Sequence, residues 1–521
     1  MKVNNLFRVN SAMNLLIFLL LLFCHPAYAS DPDARAVRTK VREYRQQNEV
    51  QIIRDLVDLL AIPNVAANQE DIRKNAAYLA VLLQKRGMKT QLLKADAGSP
   101  VVYGELNTPG ADKTVMLYMH YDGQPVNPEN WDSDPWQPIL RDKALESGGV
   151  EISWSDLKSP IDGESRIYAR SASDDKSPIT AVLTALDALN AAEIPLSVNI
   201  KFFLEGEEEA GSPNLAAILE KYKVLLQADV WLFCDGPVHQ TRRNQVVFGV
   251  RGVTGVRLTV YGPNRPLHSG HYGNWAPNPI VLLSDLIMSM RNTDARILIA
   301  DYYDDVRPIS ETERKALDES PDIDEQMRNE LGLAWSEGEG RLEERIMLPA
   351  LNVRNFQSGG EAARNAIQTE ATAVLGFRLV PDQTIARVRE LVEVHIRNQK
   401  FHIVYETPDL QTRKTRKKIV KLQWEKGYEP FRTSMDLPVS KALTQVIEEA
   451  LGEPIVKMPT AGGSLPLFIF DRILQTPLII VPMVNHDNNQ HAENESLRLQ
   501  NLWDGIEMYA GILARLGQVW Q

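Results

Sequence analysis

The stretch LSVNIKFFLEGEEEAGS, residues 196–212, decides how this chain has to be read. Leu196, Val198, Ile200, Phe202 and Leu204 alternate strictly, which puts them on one face of a strand. Four glutamates, Glu205, Glu207, Glu208 and Glu209, then crowd into a few positions, where like charges repel. The loop is either a solvated acidic turn or a place where carboxylates are held for chemistry. Its position at the C-terminal end of a buried strand is where open α/β sheets bind ligands.

Further strand-like runs lie on either side: SPVVYGEL (99–106), KTVMLYMH (113–120) and DVWLFCDG (229–236). Between them ITAVLTALDAL (179–189) carries Ile179, Val182, Leu183, Leu186 and Leu189 at helical spacing, and Pro178 suits a first helical position. Amphipathic helices are predicted over 37–60, 70–85 and 497–516. This alternation predicts a mixed α/β sheet flanked by helices. From residue 247 the order changes. Strand 252–262, helix 278–291, strands 348–356 and 366–380, helix 384–399 and strand 401–407 spell a ferredoxin-like α+β module. Short polar helices interrupt it over 293–345, one opening with the capping-box pair Ser310 and Glu313. The predicted layout is one domain in two parts, 30–246 and 412–521, with a second domain inserted over 247–411.

The 521-residue chain begins with Lys2 and Arg8 ahead of the apolar run Leu15–Phe23 and the small residues Ala27 and Ala29. This reads as a signal peptide over 1–29, so a secreted, periplasmic protein with no stable membrane span is expected. The net charge is −11, and removing 1–29 makes it more negative. That argues against nucleic acid or an anionic membrane as partner. The basic run Arg413–Lys418 reads as a solvated face. Cys234 is the sole cysteine of the mature chain, so no internal disulfide supports it.

Polar residues recur where strands end: His120 and Asp122 in HYDGQP, Asp174 and Asp175 in SDDKSP, Glu208 and Glu209 in EGEEEAGS, Asp235 in CDG, and His491 before the last helix. Singly each has a bland reading, as a surface HxD, a helix N-cap or a solvated loop. Together they supply two imidazoles and several carboxylates without cysteine, a set suited to one or two divalent cations of the zinc or manganese type. Such packing is tolerable if cations neutralise the acids; otherwise some must take up protons.

These blocks, with LHSGHYG, FRLVP and GGSLP, resemble in order those of the dizinc metallopeptidases that include carnosinases, aminoacylases and glutamate carboxypeptidases. The likeness runs over roughly 45–515 and is nearest to the carnosinase-like dipeptidases. It implies two divalent metal ions per subunit, zinc first with manganese or cobalt as alternatives. By resemblance, His120 and Asp235 hold one metal, Glu209 and His491 the other, and the Asp174 carboxylate bridges them; the Asp174–Asp175 peptide is expected to be cis. Asp122 would orient His120, and Glu208 would be the general base. The resemblance makes 30–246 and 412–521 the catalytic domain and 247–411 a lid and dimerisation domain, from which His268 would reach the partner subunit's site in a homodimer. Arg378 would grip the substrate's terminal carboxylate, with Asn365 and Ser464 as further substrate contacts. Glu205 is expected to support the loop and Glu207 to face solvent. His239, His271, His395, His402 and His486 match no ligand position. Ser177 stands where a glycine is usual, and Thr460–Ala461 where the dipeptidase branch carries Arg–Glu, which leaves dipeptide specificity open. The implied activity is hydrolysis of the bond next to a C-terminal amino acid in dipeptides or short peptides. An N-acyl amino acid amidohydrolase, or a catalytically dead binding protein on the same fold, are the alternatives.

Overall fold

The computed structural model describes residues 33–359 and 365–521. The expected signal peptide, 1–29, lies outside them. The strand predicted from the opening stretch forms over Asn199–Glu205 and sits inside an eight-stranded sheet. Four strands at its centre run parallel, in the order Asn199–Glu205, Thr114–His120, Val230–Phe233 and Leu478–Ile480. Their C-terminal ends therefore share one edge. Lys89–Leu93 and Val101–Leu106 extend the sheet antiparallel on one side, and Gln245–Val247 and Val456–Met458 extend it on the other.

Alternation along the strands feeds two cores. Leu117, Met119, Phe202 and Leu204 face the helices Ala34–Leu60, Lys176–Ala191, Pro438–Leu451 and Leu499–Val519. Tyr118, Phe203, Trp231 and Phe233 face the shorter helices Leu215–Lys221 and Leu467–Leu474. Phe470 is fully buried among that aromatic group, with ring centroids 5.6 Å from Tyr118, 5.3 Å from Trp231 and 5.1 Å from Phe233. Arg166–Tyr168, ahead of the Asp174–Asp175 turn, pairs not with the main sheet but with Ser496–Arg498 and Ile139–Arg141 in a small antiparallel one. That pairing joins the turn to the segment after His491.

The inserted unit has the sheet order Ala350–Gln357, Glu370–Leu379, Gly252–Tyr261, Ile419–Trp424, His402–Val404. The helices Pro279–Met290 and Ile385–Asn398 share its core. The ferredoxin-like order is present with one correction. Its fourth strand is Ile419–Trp424, antiparallel to Gly252–Tyr261, and His402–Val404 is an added edge strand parallel to it. The boundary expected at 411 therefore falls before the last strand of the inserted sheet. The Ser310–Glu313 capping box forms as its spacing predicts.

Replacing Phe470 with alanine removes the ring that ties the sheet to its thinner helical layer. A loss of about 3–5 kcal/mol is expected, read as a lowered denaturant midpoint at unchanged metal content. A shift below 1 kcal/mol would mean the layer packs independently of it.

Candidate metal centre

His120 closes its strand fully buried and is fixed on both sides. Its Nε2 lies 2.8 Å from Asp174 Oδ1, and its Nδ1 lies 3.1 Å from the Asp122 carbonyl oxygen. Asp174 Oδ2 lies 3.0 Å from Nε2 of His491, which is 3.3 Å from Glu209 Oε2. One aspartate thus stands between the two histidines. Asp235 Oδ2 comes within 4.0 Å of His120 Nε2. Ligand atoms of His120, Asp174 and Glu209, and those of His120, Asp175 and Asp235, fall within 4.8 Å of one another. The Asp174–Asp175 peptide is cis.

Two buried carboxylates hold the loops that carry these groups. Asp122 Oδ1 accepts from the Glu208 backbone N–H at 3.0 Å and Oδ2 from that of Glu209 at 3.1 Å. Its carboxylate is 3.6 Å from His120 Nδ1, so it braces the glutamate loop more closely than it orients the histidine. Glu495 accepts from the backbone N–H groups of Ser171, Ser173 and Asp174, each at 2.9 Å, and from Arg170 Nη1 at 2.7 Å. Nothing in the sequence patterning singled out Glu495; its place shortly after His491 was the available signal. Gly206 lets the loop leave its strand past Tyr121, whose hydroxyl a Cβ there would strike.

Glu207 corrects the sequence reading. It is buried and accepts from the Ser99 N–H and the Asn214 N–H, each at 3.0 Å, rather than facing solvent. Glu205 is buried as well and accepts from the Tyr118 hydroxyl at 2.8 Å.

The acids strain against one another. Burial and the Asp174 charge push Glu209 up to about 7 and Asp235 up to about 6. Burial raises Glu208 well above the usual range, the Asp235 and Glu209 charges adding to it against the pull of His120. Burial likewise raises Asp175, and its Oδ1 is buried without a partner. Burial alone would raise Asp174, but hydrogen bonds from His120 and His491 outweigh it and hold it low. Burial would depress His120, yet bonds to Asp122 and Asp174 carry it upward. Nitrogen and oxygen donors, an orphaned carboxylate oxygen and mutual repulsion relieved by positive charge all fit divalent cations.

The other predicted residues fall into two groups away from this cluster. Arg378 Nη1 donates to Ser464 Oγ at 2.8 Å, joining two positions 86 residues apart. His268 lies exposed on a two-stranded ribbon with Ala366, and the Ser269 N–H donates to the Asn365 carbonyl at 2.8 Å. His268 Nδ1 accepts from the Gly270 N–H at 3.1 Å. Among the described residues, neither His268 nor Asn365 bonds to the acidic cluster.

A carboxylate-rich centre at the strand ends of a mixed α/β sheet, in a chain that carries an inserted α+β domain, suits a metal-dependent hydrolase. The model of peptidase family M20/M25/M40 matches residues 116–515, so the chain belongs to that family and is a metallopeptidase. It is 24% identical to human Beta-Ala-His dipeptidase over 544 residues, covering 98% of each chain. It is also 24% identical to the Cys-Gly metallodipeptidase dug1 of Schizosaccharomyces pombe, covering 92% of this chain and 98% of that one. Among solved structures, the M20 family metallo-carboxypeptidase Sso-CP2 from Sulfolobus solfataricus superposes with a TM-score of 0.69 at 28% identity, covering 90% and 99%. Human carnosine dipeptidase 1 shares the fold with a TM-score of 0.67 at 23% identity, covering 94% and 100%. The chain's relatives thus lie in the carnosinase-like branch that its motifs resemble.

The raised carboxylates set a pH dependence. Glu209 moves from 4.5 to about 7, so the metal-free folded protein binds more protons than the unfolded chain across that interval. Its stability is expected to fall as pH rises from about 4.5 to 7, and added zinc should flatten the slope. Denaturant midpoints at pH 5 and pH 7, with chelator and with zinc, check this. A metal-free protein equally stable at both would contradict the charge-repulsion account.

Proposed function

We propose that this protein is a dinuclear metal-dependent dipeptidase that releases the C-terminal amino acid from dipeptides or short peptides. The observation that carries the reading is Glu208, raised by burial and held beside the histidine–carboxylate cluster through its own backbone bond to Asp122. His120 and Asp235 would hold one cation, Glu209 and His491 the other, with Asp174 between. The nitrogen and oxygen donor set suits zinc, with manganese or cobalt as alternatives. When bound, the two cations would polarise the scissile carbonyl and acidify a water.

The chain's own residues supply the rest. Glu208 takes a proton from the attacking water and returns it to the leaving amine, a role suited to a buried carboxyl whose affinity for protons is raised. Asp122 fixes where that carboxyl emerges by holding the N–H groups of residues 208 and 209. Arg378, presented by Ser464, takes the substrate's terminal carboxylate, for which a planar fork of donors is suited. The names of the carnosinase-like relatives support a dipeptide substrate. His268 and Asn365, exposed together on the lid, are proposed to serve the partner subunit's site in a homodimer.

Glu208→Gln should lower kcat by about 10²–10⁴ while metal content by elemental analysis stays that of the parent. Turnover at the parental rate would remove the proton-carrier role. Mixing His268→Ala with Glu208→Gln should restore activity in hybrid dimers that neither parent shows. Mixtures no more active than the sum of the two would place His268 outside the partner's chemistry.

A further inference from the structure

A cavity of about 1190 Å³ opens in the inserted domain, between the segment that interrupts it and the start of strand Ala350–Gln357. Arg251, Tyr303, Met327, Leu331, Trp335 and Asn352 are among its walls. The histidine–carboxylate cluster does not line it. What marks this cavity is Arg251, only 8% exposed yet part of the wall. Its Nη2 donates to the Leu348 carbonyl at 2.9 Å, and its Nε is buried with no partner.

Arg251 is tied by its backbone to the proposed carboxylate grip. Its N–H donates to the Gly463 carbonyl at 3.1 Å, and its carbonyl accepts from Ser464 Oγ at 2.6 Å. The same Ser464 oxygen accepts from Arg378. Two guanidiniums therefore share one neighbourhood, and among the described residues neither forms an ion pair. Burial, and after it the Arg378 charge, depresses Arg251 to about 10. A buried cation left without a counter-charge is unfavourable, and an anionic ligand would supply one.

Of the four acids on the cavity wall, three have other engagements: Glu337 pairs with Arg291 at 2.7 Å, Asp324 accepts from the Leu342 N–H at 3.1 Å, and Asp294 accepts from Asn292 Nδ2 at 3.3 Å, while the fourth, Glu339, pairs with neither Arg251 nor Arg378. If Arg378 takes the α-carboxylate of the departing residue, Arg251 is left for a second anionic group, with room behind it for a side chain.

We propose that Arg251 is a specificity-determining residue that selects substrates whose C-terminal amino acid carries a second carboxylate, aspartate or glutamate. This rests on the peptidase reading for the placement of Arg378, but the binding preference can be measured without turnover. Calorimetric titration of the zinc-loaded full mature chain with glutamate and with glutamine compares two side chains of one shape. Glutamate should bind about tenfold tighter, the preference weakening as salt rises. Arg251→Gln should bring the ratio near one, and Arg251→Lys should keep part of it; circular dichroism checks that each is folded. Should Arg251→Gln not fold, the wild-type ratio and its salt dependence decide the matter. Equal affinity for the two amino acids in the wild type overturns the proposal. Assays with Gly-Glu and Gly-Gln run in parallel separate the two ideas. Hydrolysis of both with equal KM overturns only the acidic preference, whereas hydrolysis of neither, with glutamate still preferred in binding, overturns the dipeptidase reading alone.

Discussion

Electrostatic repulsion among carboxylates gathered at one sheet edge is the constraint that organises this molecule. Asp174, Asp175, Glu208, Glu209 and Asp235 face two imidazoles, and burial has removed most of the water that would screen them. Protons relieve the repulsion at low pH and divalent cations relieve it at neutral pH. The centre is costly when bare, and that same cost makes it a strong cation site.

Holding such a cluster open requires anchors that do not themselves join it. The structure uses two further carboxylates for this, each satisfied by backbone N–H groups. Asp122 pins the glutamate loop and Glu495 pins the Asp174 loop, with Arg170 balancing the Glu495 charge. The pairing of Arg166–Tyr168 with Ser496–Arg498 brings residues from two distant parts of the chain to that second anchor. Lys176, wholly buried, adds bonds from its Nζ to the carbonyls of Leu59 and Ile62 and fixes the start of its helix. The first parallel strands, the Asp174 turn and the C-terminal segment are thereby locked together before any ligand is considered.

Much of this was legible beforehand because burial leaves a period in the sequence. The strand at Asn199–Glu205 and the helices at Gln69–Lys85 and Lys176–Ala191 follow their alternating or helical spacing closely. The fourth strand of the lid was missed for a physical reason. Ile419–Trp424 does alternate, with Val420, Leu422 and Trp424 on the core side, but it is short and directly follows a run of Arg and Lys that reads as a solvated face. Glu207 was misread because a carboxylate bonded to backbone N–H groups looks, in sequence, like one bonded to water.

By itself the sequence determined which chemistry-bearing residues stand at the ends of which strands, because alternation fixes where a strand stops and its loop begins. It also determined the donor types, and hence the class of cation they suit. Tertiary structure alone decided which acids bear on the cluster and which hold it up, because that depends on which backbone N–H groups lie within hydrogen-bonding distance of each oxygen. It alone also set Ser464 between Arg378 and Arg251, where contacts spanning 86 and 213 residues leave no local trace in the chain.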